Sequence, residues 1–433
     1  MKKSQSNKEW LSGIKVVDLC NVIAGPVISH VLSRFGCDVV KVDMGKPSYD
    51  ASITTLLGLP ANRSKKSVLL NLHDAKGREL LNELIRWADV VTVNQTKSQL
   101  TSLGLDERSL KKINPSIVLT HFNAFGGPRW GEWSDHLGYD DVIQAVLGIM
   151  SRFGGSLKTP EEHAHIGTID VVGGFCGALA CVAALFKRRR TGQSDVARAS
   201  LASAGNLLQV SLAYEFEGRV WNEPSGHAKG RHALYRWYHS KEGKHLFLAS
   251  ARNCDLNVLL KTVLTKFSSS TSFSIEKDDD EVAKVLQEIF QDLNMKTLLK
   301  ELNEIPNLCA VKRRTLQSLR SQYSVSPSAT YDFDCIKDHP IGSTVTMFAT
   351  NVSVRAMRGK IRRLLIAPKY GQDAEFVLVK MLGLVSSEEF EALVKRGAVV
   401  PSWSSRYIPR GDPWSLSKKE YMDYITGTGS CSD

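Results

Sequence analysis

Asp170 is the residue whose type and setting most readily suggest chemistry. It stands in His165-Ile-Gly-Thr-Ile-Asp170-Val-Val-Gly-Gly174, and an apolar run follows it to Phe186. One acid between apolar neighbours costs free energy unless something compensates it, because burial disfavours the charged form. Chains keep such an acid for catalysis, or as a helix N-cap whose oxygen takes a backbone N–H, here that of Gly173. The two roles are compatible, and the residues alone leave both open.

Other chemistries find less support. The eight cysteines, at 20, 37, 176, 181, 254, 309, 335 and 431, form no CxxC and no Cys/His ligand spacing, so no metal site is expected. Several lie in apolar runs, where Cys acts as a small hydrophobe, and the pattern fits a reducing compartment. Hydrophobic residues at 42% and charged residues at 23% are ordinary for a soluble globular protein. The net charge of +11 calls for an anionic partner or serves only solubility. A phosphate-bearing small ligand accounts for it more economically than nucleic acid, since the cations are scattered and do not alternate with aromatics. The one basic run, Lys187-Arg-Arg-Arg190, reads as the cationic end of a helix, with a nuclear signal the less favoured alternative. The N-terminus has no apolar leader and no amphipathic Arg/Ser pattern, which points to the cytoplasm, with the mitochondrion as alternative. Val171 to Phe186 is the only candidate membrane span. At 16 residues, broken by Gly, it reads as too short, and no membrane partner is expected.

The elements that must position Asp170 alternate between strand and helix. Ile14–Leu19 and Cys37–Asp43 are β-branched runs flanking a helix expected at 26–35, with Pro26 in its first turn and Gly36 after its end. This is a βαβ unit. Its turn carries one glycine, Gly25, where a dinucleotide fingerprint needs three, although Asp43 sits where a ribose acid would. Further strands are expected at 67–72, 89–93 and 116–120, with helices at 74–87, 110–113, 142–150, 171–187 and 195–206. The alternation predicts an α/β fold with a large, doubly wound, Rossmann-like sheet whose ligands gather at the strands' carboxyl ends. Three loops there carry polar or Gly-rich residues, Asn21–Pro26, Asn94–Lys97 and Asn123–Gly127, and Asn62–Ser67 adds a basic patch.

At 433 residues the chain is expected to hold two domains. Composition changes after about residue 216. Residues 1–225 read as the first part of the large domain, 226–330 as a smaller α+β domain, and 331–433 as a return segment with a polar tail from about 402. Ser225–Gly230 reads as a flexible loop, and Tyr235–Tyr238 with Lys244–Ala249 as a hairpin. Strands are expected again at 342–348, and helices at 374–382 and 387–395.

Taken together, these pieces resemble the family III CoA-transferases. The likeness rests on Leu11-Ser-Gly-Ile-Lys-Val-Val-Asp-Leu19, Ala24-Gly-Pro26, Gly36-Cys-Asp-Val-Val-Lys-Val-Asp43 and Asn62-Arg-Ser-Lys-Lys-Ser67. Asn114-Pro115, Gly138-Tyr-Asp140, Ile169-Asp170-Val-Val-Gly-Gly174, Thr191-Gly-Gln193, His339-Pro340 and Leu382-Gly-Leu384 follow in the family's order. The resemblance spans roughly 11–400 and thins over 226–335. It implies a large α/β domain made from both chain ends, a smaller domain between them, and two interlocked subunits.

The resemblance also implies a nucleophile at Asp170, with acyl-CoA and a carboxylic acid as substrates and no permanently bound cofactor. The carboxylate would attack the thioester to give an anhydride, then an aspartyl-CoA thioester, and the acceptor acid would reverse these steps. Val22, Ile23, Ala24, Lys65 and Asn94 fall where relatives contact CoA, and Tyr139 where they have a site residue. Gly173 and Gly174 would donate backbone N–H groups to the thioester oxygen, or else serve helix packing.

Three departures stand out. Val22-Ile23 replaces the stretch holding the formyl-transfer members' Gln, Ser225–Gly230 replaces their run of four glycines, and Asn94-Gln-Thr-Lys97 replaces Asn-Phe-Arg-Pro. These argue against formyl or oxalyl transfer. A 2-methylacyl-CoA racemase is one alternative. It needs a second base, yet Tyr139 stands where racemases have His, and His136 is displaced by three positions. The other alternative is a non-catalytic CoA-binding or assembly subunit, the inactive half of a tandem, so the partner is a second copy or a fused half.

Overall fold

Valine-rich runs build the central sheet. The structure, a computed structural model, describes residues 9–47, 51–126, 133, 135–150, 167–210, 216–218, 230–251, 255–267, 279–315, 318, 333–336, 345–348 and 364–403. Parallel strands β1 (Lys15–Asp18), β2 (Asp38–Asp43), β3 (Lys66–Leu70), β4 (Val90–Val93), β5 (Val118–Asn123) and β6 (Val196–Ser200) lie in the order 3-2-1-4-5-6. A short β13 (Val399–Val400) joins β3 antiparallel at one edge. Side chains alternate along each strand. Val16, Val39, Val90 and Val118 therefore enter one helical layer, while Val17, Val40, Val91 and Leu119 enter the other. Strands covered on both faces are hydrophobic throughout, which is why the sequence shows runs rather than alternation.

One layer holds α1 (Ala24–Arg34), which starts two residues before the expected helix, and α7 (Thr168–Thr191). They approach closely because α7 turns glycines toward α1 and the sheet. A Cβ on Gly174 would lie 2.5 Å from Val27 Cγ1 and 2.8 Å from the Ala24 carbonyl. One on Gly177 would lie 2.6 Å from Ile28, and one on Gly173 2.7 Å from Phe122. Gly173 and Gly174 thus serve packing. Their N–H groups belong to the second helical turn and are spent on the helix ladder, which corrects their expected role as donors to a thioester.

With 24 residues, α7 is by length and composition long and apolar enough to cross a bilayer. The expectation of a span too short for that is corrected. Here it packs on the sheet, burying Ala178, Cys181 and Leu185 among the core residues of β5, β6 and α1. Its basic end closes on carboxylates, Arg188 on Asp89 at 2.8 Å and Lys187 on Asp195 at 2.6 Å. The helix expected from residue 195 is corrected too. Val196–Ser200 pair with β5 as β6, and the Ser200 hydroxyl accepts the Ser203 N–H to start α8 (Leu201–Leu208).

The other layer comprises α3 (Ala75–Trp87), α4 (Lys97–Leu103), α5 (Glu107–Ile113), a π-helix (Phe376–Met381) and α12 (Ser387–Arg396). Two helices escaped the sequence reading, α2 (Ala51–Ala61) and α4. A capping box between Thr96 and Gln99 opens α4, a signal the sequence does carry. Chain ends some 300 residues apart in sequence are stitched together here. Asp373 accepts the Ser67 N–H at 2.8 Å, Arg63 donates to the carbonyls of Leu364 and Leu365, and Arg396 pairs with Asp74 at 2.6 Å.

Asn62–Ser67 is no basic patch. Lys65 has no exposed side-chain surface, and its Nζ donates to Asp18 (2.8 Å), to the Pro26 carbonyl (2.8 Å) and to Asn62 (3.0 Å). Burial alone would raise the Asp18 carboxyl, but the Lys65 and Lys41 ammonium groups more than offset it and hold Asp18 well below the usual range. Lys41 in turn reaches Asp43 at 2.8 Å and the Cys20 carbonyl at 2.6 Å. These four charges fix the carboxyl ends of β1 and β2.

The chain divides into two compact units, residues 1–223 with 328–433, and residues 224–327. In the smaller unit, β7 (Gly230–His232), β8 (Tyr235–His239), β9 (His245–Ser250) and β10 (Leu308–Lys312) form an antiparallel sheet in the order 10-9-8-7. The expected hairpin is the β8–β9 pair. Tyr238, Leu246, Leu248 and Ala310 join a core with α9 (Leu256–Phe267), α10 (Asp279–Gln291) and α11 (Met295–Asn303). In the larger unit, β11 (Phe333–Ile336) and β12 (Val345–Phe348) form a two-stranded ribbon where strands were expected at 342–348. Residues 225–229, the tail beyond 403, His165 and His339-Pro340 lie outside the described residues.

Two stability predictions follow from this packing. Gly174→Ala should lower unfolding free energy by about 1–3 kcal/mol despite alanine's better helix propensity, since a backbone carbonyl must give way. Lys65→Ala should cost about 3–5 kcal/mol by stranding Asp18, and Lys65→Met with Asp18→Asn should recover part of that. Urea unfolding of each variant measures both. A Gly174→Ala variant more stable than the parent, or a neutral Lys65→Ala, would refute the corresponding account.

Candidate active site

The strand order reverses between β1 and β4, and in open α/β sheets ligands bind outside the carboxyl ends at that point. A cleft of about 440 Å³ opens there. Its walls come from the loop after β1 (Leu19 to Ala24), the end of β2 (Asp43, Met44), the loop after β4 (Asn94, Gln95), the end of β5, and Tyr139. Asp170, in the first turn of α7, also faces it.

The loops at its mouth are knitted together. Asn94 clamps Asn21, its Nδ2 donating to the Asn21 carbonyl and its Oδ1 accepting the Asn21 N–H, both at 2.9 Å. Gln95 donates to the Leu19 carbonyl at 2.8 Å. The next residue, Val22, is held at φ 64°, a left-handed conformation that is an outlier for a β-branched side chain. Such strain costs about 1–3 kcal/mol and persists only where surrounding contacts impose it, as the Asn21–Asn94 clamp does here.

Asp170 is not the N-cap that the residues alone allowed. Gly167 holds that position at φ 81° and has no side chain with which to cap. The Asp140 carboxylate, at the start of α6 (Asp140–Val146), supplies the missing acceptor. Its Oδ2 takes the N–H of Ile169 at 2.7 Å and of Asp170 at 3.0 Å. This leaves the Asp170 carboxylate uncommitted, with no hydrogen bond or ion pair among the described residues. Burial, with repulsion from Asp140 and then Asp141, pushes its pKa up to about 7.

Of the residues expected to contact CoA, Val22, Ile23, Ala24, Asn94 and Tyr139 line the cleft with Asp170. Lys65 does not, being spent on Asp18, so its expected contact with a phosphate is corrected. Among the described lining residues there is no Lys, Arg or His. His136 packs at a tilt against Trp133, ring centroids 5.3 Å apart, and is not one of them. The residue that sequence reasoning missed is Asp140 in its capping role. The available signal was a glycine at 167 where a capping side chain belongs, but nothing local says which distant acid fills the gap.

Comparison with known proteins supplies the family. The profile of CoA-transferase family III matches residues 11–374. The chain is 35% identical over 413 residues to the CoA-transferase/lyase DddD of Marinomonas sp. (strain MWYL1), covering 93% of this chain and 48% of that protein. It is 31% identical to the succinate–glutarate CoA-transferase of Agrobacterium fabrum over 49% of this chain and 57% of that one. The chain therefore spans about half the length of these curated relatives. A CAIB/BAIF family protein from Brucella suis superposes with a TM-score of 0.68 at 25% identity, covering 86% of this chain and all of the other. By sequence profile and by fold, this chain belongs to CoA-transferase family III.

Proposed function

We propose that the chain moves CoA from an acyl-CoA donor to a carboxylic acid, with Asp170 as the nucleophile. The observation that carries this reading is the Asp170 carboxylate, partly buried, unpaired among the described residues and facing the cleft. The carboxylate oxygen attacks the thioester carbonyl, the C–S bond breaks, and CoA leaves as thiolate. The thiolate then attacks Cγ of Asp170 in the mixed anhydride, expelling the donor acid and leaving an aspartyl-CoA thioester. The acceptor carboxylate attacks Cγ in turn and releases thiolate, which takes the acceptor's acyl carbon and restores Asp170. No net proton is consumed. Only a carboxylate can pass through an anhydride with another acid, and one held out of water is the better nucleophile.

A second copy of the chain fits as partner. On α7, Leu179 and Phe186 are 73% and 61% exposed, and Leu207 and Leu208 at the end of α8 are also exposed. Exposed apolar side chains on these two helices support this reading, and sedimentation should find a dimer.

A second reading, a CoA-binding half without turnover, is favoured by the lack of a cation in the described cleft wall. One experiment separates the two. The protein is incubated with acetyl-, succinyl- and branched acyl-CoA, trapped with hydroxylamine or borohydride, and peptide-mapped. An adduct on Asp170, lost in Asp170→Ala, supports the transferase. CoA binding by calorimetry without any adduct supports the inactive half. Because the ionised form attacks and Asp170 is pushed up to about 7, adduct formation should rise with pH through neutrality and then level off. A rate independent of pH between 5 and 9, on the order of two units either side of that value, would exclude Asp170 as the attacking group.

A further inference from the structure

We infer that Asp140 is the positioning residue for Asp170: from the first turn of α6 it caps the N-terminus of α7 and thereby sets the nucleophile's place and charge. The inference rests on the assignment of Asp170 as nucleophile. Its geometric basis is a division of labour between two helices. Gly167 starts α7 without a side chain, so the first N–H groups of that helix would be orphaned. One oxygen of Asp140 takes two of them, including the N–H of Asp170 itself. The other oxygen accepts from Gln144 Nε2, one turn along α6, and both Asp140 and Gln144 are buried. A carboxylate tied at both oxygens cannot swing away, so the backbone of Asp170 is held in one place.

The same contact changes the electrostatics. An acid in a first helical turn is normally eased by the positive end of the helix. Here that end already faces the Asp140 anion, and Asp141 adds a second negative charge beside it. From the other elements at this end of the cleft come Ile23 and Ala24 at the start of α1, Phe122 of β5, Leu201 of α8 and Tyr139. None of these is a Lys, Arg, His, Asp or Glu. Asp140 thus raises the basicity of Asp170, and with it the readiness of the carboxylate to attack.

Asparagine and alanine at position 140 separate the two effects. Asp140→Asn keeps an oxygen that can accept N–H bonds and removes the charge, whereas Asp140→Ala removes both. The midpoint of Asp170 is read by carbon-13 NMR of the aspartate carboxyls, assigned by comparison with Asp170→Asn, and needs no turnover. In Asp140→Asn it should fall by about one unit. The trapped-adduct rate should fall about tenfold at high pH, and its acid limb should move down with the midpoint. In Asp140→Ala the rate should fall by about a hundredfold through loss of placement, while the affinity for CoA by calorimetry stays within about threefold. Hydrogen exchange at the amides of Ile169 and Asp170 should quicken in Asp140→Ala, with circular dichroism unchanged.

An Asp170 midpoint that stays put in Asp140→Asn, or amide exchange that stays put in Asp140→Ala, would overturn the inference. Should the wild type form no adduct at all, the transferase reading fails, and the midpoint and exchange measurements still decide the role of Asp140. A variant at 140 that no longer folds is replaced by Gln144→Leu, which frees one Asp140 oxygen. That change should shift the Asp170 midpoint and quicken the same amides, and no effect on either would count against the inference.

Discussion

A carboxylate that faces the cleft, partly desolvated and with no cation beside it among the described residues, is the constraint on which the site depends. An ion pair would stabilise Asp170 and also quench it, since a paired carboxylate shares its charge with its partner. The fold instead meets the cost with packing. The first turn of α7 is fixed by Asp140, and the turns after it by close contact of Gly174 and Gly177 with α1. That contact exists because glycines let the two helices touch, and α1 in turn carries Ile23 and Ala24 into the same cleft.

Charges elsewhere obey the opposite rule. Asp18, Lys65, Lys41 and Asp43 are buried as paired ions, one carboxylate to one ammonium in each contact. Such pairs contribute little net stability but are costly to break, so they act as fixed pegs at the ends of β1 and β2. In the sequence Lys65 belongs to a basic patch with Arg63 and Lys66, whereas Asp170 is one acid between apolar neighbours. Only the third dimension separates a peg from a nucleophile.

That difference marks how far the sequence could be read. Strands of the sheet were legible because both faces are buried and valine repeats along them. The hairpin of the small unit and the helix over 74–87 were legible from local turn and capping residues. The end of β5 and all of β6 were harder, since Val196–Ser200 becomes a strand through pairing with a segment about 75 residues earlier. Asp170 could be singled out by its neighbours. Asp140 could not, because the groups it satisfies lie 29 and 30 residues ahead in the chain.

The stitching of the two chain ends bears on how the protein is made. The β13 strand, the π-helix and α12 complete a sheet whose other strands all emerge before residue 201. A ribosome must therefore reach about residue 400 before β3 gains its last neighbour and Arg63 finds its carbonyls. Until then the edge of β3 and the apolar face around Val68 and Leu70 stay open to misassociation. The unit at 224–327, by contrast, draws its core from one continuous stretch and can fold while translation continues. The nascent chain thus carries a finished small unit and an unfinished large one, and the late segment 364–403 acts as the latch.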